Sequence, residues 1–135
     1  MKIISTKYSK TAFSFATLIL RLGLGIIMLV AHGYDKLVHF SKYSGGFADP
    51  FHVGSITSLS LDIFAEFFCS CLVILGLFTR LACIPLIIAM TVALFYAHHG
   101  QIFGAGERAG LYLTGFIALL FLGPGRVSVD GMIGK

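Results

Sequence analysis

Residues 12–33 read AFSFATLILRLGLGIIMLVAHG, an apolar run broken by one full charge, Arg21. A helix needs about 20 apolar residues to cross the ~30 Å hydrocarbon core of a bilayer. In lipid, backbone N–H and C=O groups find no water, so such a run can only be helical. Three further apolar segments follow, at residues 58–78, 81–98 and 107–123. The last is the shortest at its strictly apolar centre, AGLYLTGFIALLFLG. The chain is 57% hydrophobic and 12% charged, with a mean hydropathy of +0.93. That composition leaves too little polar surface for a soluble domain of this size. The expectation is an all-α protein, an integral membrane antiparallel four-helix bundle forming a single domain over residues 1–135, with short loops joining neighbouring helices.

The first segment does not read as a signal peptide. It is too long, carries Arg21 inside it, and lacks a small-x-small cleavage site. No basic run with interleaved aromatics points to nucleic acid. Cys69, Cys71 and Cys83 lie in apolar surroundings at spacings that suit neither a redox pair nor zinc, so they read as small core hydrophobes. The five histidines show no i, i+4 pair on one helix, and no metal site is expected. Nucleophile elbow, phosphate loop, haem-attachment and flavin fingerprints are all missing from the sequence. No covalently bound cofactor is expected.

Orientation follows from Lys and Arg outside the spans. Lys2, Lys7, Lys10, Arg80, Arg126 and Lys135 fall on one side; Lys36, Lys42 and Arg108 fall on the other. The excess places both termini in the cytoplasm and the long first loop, residues 34–57, outside.

Ionisable residues within spans are rare, because each costs roughly 2.5–3.5 kcal/mol to insert at the helix centre. At about 100° per residue, Gly25, His32 and Lys36 stand about 40°, 20° and 60° round from Arg21, on one stripe. Gly25 has no side chain, so a neighbour can approach there. Asp62, Glu66, Cys69 and Ser70 follow i, i+4, i+7, i+8 on one face of the second helix. Two such stripes would be buried against each other. Arg21 with Glu66 is the obvious ion pair. The alternatives are Arg21 on backbone carbonyls and Glu66 facing His32. A sharper expectation is a polar site in the outer half of the bundle, drawn from Arg21, His32, Lys36, Glu66 and His98, able to hydrogen-bond a quinone head group or pass protons. The blander one is interfacial anchoring of helix ends and a structural ion pair.

Read together, three stretches carry a resemblance: RLGLGIIMLVAHGYDKL, AEFFCSCLVILGLFTRLA and the closing GPGRVSVDG. The chain resembles the DoxX family of small four-helix membrane proteins over residues 20–130. The family's motif positions fall on Arg21, His32, Gly33, Lys36, Glu66, Gly76, Arg80 and His98. FFCSC stands where the family often has paired glycines. Gly25, Gly33 and Gly76 are expected at helix-packing contacts.

The resemblance implies a bacterial cytoplasmic (inner) membrane location and an association with redox systems. The expected function is a membrane subunit or accessory protein of a redox system presenting a quinone-type site, a component of a quinone-linked oxidoreductase rather than a complete enzyme. Its partners would be the lipid bilayer and a redox-enzyme partner or further copies of the chain. A small-solute permeation protein and a non-catalytic membrane scaffold are the alternatives.

Overall fold

The computed structural model describes residues 2–134. They form helices, turns and loops, with no strand among the described residues. Helix α1 runs Lys10–Val38 and opens where Ser9 Oγ accepts the Ala12 amide at 3.3 Å. It continues past the expected end at residue 33 through a π-turn at Leu29–Gly33. Part of the expected outer loop is therefore helical: the end of α1, and the short α2 at Phe40–Ser44. Helix α3 spans Ser55–Leu75, α4 spans Thr79–Ala97 and α5 spans Glu107–Leu122. A four-residue α6, Val129–Met132, closes the described chain.

Helices α1, α3 and α4 are each long and apolar enough to cross a membrane. The 16-residue α5 is shorter, roughly 24 Å, and lies against α4 and α1. The core between them holds Met28, Cys69, Val73, Cys83, Leu86, Phe116 and Leu119. Large apolar side chains also face outward, among them Ile19, Ile27, Leu81 and Phe121. Water would penalise that pattern, whereas acyl chains accept it.

The α3–α4 turn is tight because α3 ends in a Schellman motif. Leu77 N–H returns to Leu72 O at 2.9 Å and Gly76 N–H to Val73 O at 3.1 Å, with Gly76 left-handed at φ +71°. Arg80 then reaches across to cap α5, donating to Leu120 O and Phe121 O at 3.1 and 3.3 Å. At the other end Asp49 ties down the residues that lead into α3. Its carboxylate accepts from the Val53 and Gly54 amides at 2.9 and 2.8 Å and from the Ser58 hydroxyl at 2.8 Å.

Helices α1 and α3 cross very closely. A Cβ at Gly33 would overlap the backbone carbonyl of Glu66, and one at Gly25 would stand 2.7 Å from Ile74 Cγ1. Glycine at these two positions lets the helices touch backbone to side chain or backbone to backbone. Gly76 also turns the chain, and a Cβ there would strike the Arg21 guanidinium and Ser128.

Candidate functional site

The polar stripes of α1 and α3 do meet, but through a different cation. Lys36 Nζ donates to Glu66 Oε1 and Oε2 at 2.8 and 2.7 Å and to Asp62 Oδ2 at 2.8 Å. Glu66 is 1% exposed, so its charge is withdrawn from solvent and needs this ammonium. Phe47 from the segment between α1 and α3 lies by Lys36, its ring centroid 5.8 Å from Nζ. With both carboxylates ionised, the cluster carries one net negative charge.

Arg21 does not pair with Glu66. It donates to Pro124 O at 3.1 Å and Val127 O at 2.8 Å, at the opposite end of the bundle from Lys36. There the Asp130 amide bonds Gly76 O at 3.0 Å, and Asp130 Oδ2 accepts from the Thr79 amide at 3.4 Å. Arg21 therefore holds the C-terminal segment against the α3–α4 turn. Of the expected set, His32, Lys36, Glu66 and His98 line one cavity and Arg21 is not among its walls.

That cavity measures about 930 Å³ and occupies the half of the bundle away from the Arg21 end. It falls within the range of about 300–1,000 Å³ typical of small-molecule sites. One wall carries Lys36, Asp62 and Glu66. Beside them His32 meets Tyr112 edge to face, centroids 5.6 Å apart, and Tyr112 stacks on Phe116 at 6.1 Å. Among the described residues, neither the Tyr112 hydroxyl nor the His32 ring makes a hydrogen bond to protein. Glu107, Arg108 and His98 also line the cavity, as do Phe47, Pro50 and Phe51 from the segment between α1 and α3. The remaining wall is apolar, from Leu61 and Phe64 on α3 and Pro85 to Ala97 on α4.

Each long helix reaching the cavity has a π-turn there: Leu29–Gly33 contains His32, Phe64–Cys69 contains Glu66, and Ala93–Ala97 leads into His98. A π-turn widens the helix by one residue and re-aims the side chains around it, and such turns gather at functional sites. Asp62 sits in the α3 stripe but outside the expected set. The sequence signal for Tyr112 is only a hydroxyl in a mostly apolar helix. No group of three or more His, Cys, Asp or Glu among the described residues is arranged to hold a metal ion.

Outside the spans, the Tyr43 hydroxyl donates to Asp35 Oδ2 at 2.6 Å, and that bond to a carboxylate holds its phenol above the ordinary tyrosine range. Partial desolvation pushes the Asp49 carboxyl up, but the bonds from Ser58, Val53 and Gly54 outweigh it and hold it below the usual value.

Comparison with known proteins fixes the family. The DoxX family model matches residues 16–99, more than half of the chain, including the α1–α3 crossing and the Lys36 cluster. The chain belongs to the DoxX family. This DoxX protein is also similar to an uncharacterized membrane protein of Mycobacterium tuberculosis, Rv3486, with 30% identity over 131 residues, covering 86% of this chain and 80% of the relative. No solved structure matches it. The matched DoxX region stops before α5, so Tyr112 and the Arg21 contacts at Pro124 and Val127 lie beyond it.

Proposed function

We propose that this DoxX-family protein is a membrane component of a redox system, and that its outer cavity binds the ring head of a quinone-type amphiphile. The observation that carries this reading is the division of one cavity into two walls. One wall carries the Lys36–Glu66–Asp62 cluster with His32 and Tyr112; the α4 face from Pro85 to Ala97 is apolar. A quinone head is flat, uncharged and accepts hydrogen bonds at two opposed carbonyl oxygens. The Tyr112 hydroxyl and a His32 ring nitrogen are donors without a protein acceptor, so the residues present fit it. The fixed charges of the cluster orient the head's dipole, and Phe47, Pro50 and Phe51 limit water entry. When bound, a quinone supplies the electron-accepting chemistry; a redox-enzyme partner delivers the electrons. On this reading the termini face the cytoplasm and the cavity faces outward across the bacterial inner membrane, in line with the Lys and Arg excess.

The test uses the protein in lipid nanodiscs titrated with tail-less dimethoxy-methyl-benzoquinone, against empty nanodiscs. Binding near one per chain is expected. Tyr112→Phe keeps the edge contact and removes one hydrogen bond, so affinity falls roughly 3- to 10-fold. Absence of saturable binding, or full affinity in Tyr112→Phe, refutes the proposal.

A further inference from the structure

The cavity is longer than a ring head requires. Along α4 its wall is Pro85, Ile88, Ala89, Val92 and Ala93, which follow i, i+3, i+4, i+7, i+8 and so form one face. From Pro85 to His98 this face is roughly 20 Å long, about two-thirds of the hydrocarbon thickness. The polar side chains of the cavity come from α1, α3 and α5 and from His98, whereas the α4 face from Pro85 to Ala93 is apolar. The opposite flank is Leu61, Phe64 and Ala65 of α3.

The groove is also open sideways. Leu61, Phe64 and Ile88 line it yet are 57%, 48% and 52% exposed, at depths where α3 and α4 face acyl chains. The outer half of α3, Ser55–Ile63, leans on α1 and α2, whereas Ala93–Ala97 of α4 leans on α5. The two helices therefore part toward the outer surface. Further in, Phe64–Cys69 of α3 packs against α4.

We infer that the site takes an amphiphile with a single long apolar tail, such as a prenyl chain. It enters sideways from the bilayer between α3 and α4, seating its head by Lys36 and Tyr112 and its tail down the Pro85–Ala93 face. Ala89 and Ala93 set the groove's depth, because their small side chains leave room where larger ones would fill it. The inference rests on the head-group reading above and adds the ligand's tail and its route.

The experiment compares two probes on protein in nanodiscs: the tail-less benzoquinone and its decyl-tailed analogue, each corrected for partition into empty nanodiscs. Ala89→Phe fills the groove along the α4 face. It is expected to weaken the decyl-tailed probe about tenfold more than the tail-less probe, the equivalent of two methylenes excluded from apolar contact. A decyl analogue with a diazirine at the tail terminus gives a second measurement on the unaltered chain, with labelling expected on residues 85–93. If the tail-less probe binds but Ala89→Phe affects both probes equally or neither, or if label falls outside the α3–α4 groove, the tail inference is overturned and the head-group reading stands. If neither probe binds the unaltered chain, both are overturned.

Discussion

Lys36 Nζ bonds both oxygens of Glu66, at 2.8 and 2.7 Å, while also holding Asp62 at 2.8 Å. One ammonium thus serves two carboxylates from successive turns of α3. The one nearest the bundle interior, Glu66, is almost wholly buried.

Removing that ammonium strands a buried charge. Lys36→Met should destabilise the protein by about 3 kcal/mol, the lower end for a broken buried pair because Lys36 itself is partly exposed. The double variant Lys36→Met with Glu66→Gln should recover most of the loss. Thermal unfolding in detergent reads both, and an undiminished defect in the double variant contradicts the assignment.

Gly33→Ala places a methyl group against the Glu66 carbonyl, where backbone cannot yield cheaply. A loss of roughly 1–3 kcal/mol is expected. Gly23→Ala is the matched control: nothing lies within 4 Å of a Cβ there, and stability should hold or rise by up to about 1 kcal/mol. Equal behaviour of the two variants argues against a close α1–α3 crossing.

Arg21→Gln should release the C-terminal segment without disturbing the cavity. Hydrogen exchange should speed up at the Asp130 amide, which bonds Gly76 O, and stay unchanged at the cavity ends of α3 and α4. A tail that stays protected shows that Arg21 is not what holds it.

Asp49 makes the start of α3 sensitive to acid. Its folded value lies below that of a free carboxyl, so its contribution is complete above pH about 3.9, declines below that, and is lost once the pH has dropped through the folded value. Exchange at Val53 and Gly54 should accelerate over that range. In Asp49→Ala it should be fast at every pH; an acid-dependent step that survives the substitution points to another group.

Much of the architecture was legible because lipid imposes a coarse rule: long apolar runs become helices, and their few polar residues turn inward. The stripes on α1 and α3 followed from that rule, and they do face each other. What the stripe argument lacks is depth. Arg21 and Lys36 share a helical face but lie 15 residues apart, roughly 22 Å along the axis, so they serve opposite ends of the bundle. Glu66 sits level with Lys36, and the carbonyls of Pro124 and Val127 sit level with Arg21. The π-turns were illegible for a related reason, since they arise from packing between helices and leave the hydropathy pattern unchanged. Tyr112 is not legible in the sequence, because a hydroxyl in a mostly apolar helix usually means nothing; here it is the His32 ring opposite that gives it meaning.

The carbonyls that receive Arg21 come 103 and 106 residues later in the chain. At translation rates of about 5–20 residues per second, the guanidinium waits several seconds for them after it is made. During that time the nascent protein carries a cation in its first span that its own backbone cannot yet solvate. Release from the insertion machinery, rather than entry into it, is then the moment at which this end of the bundle becomes stable. A ribosome stalled short of residue 124 should leave a product that quality-control proteases recognise.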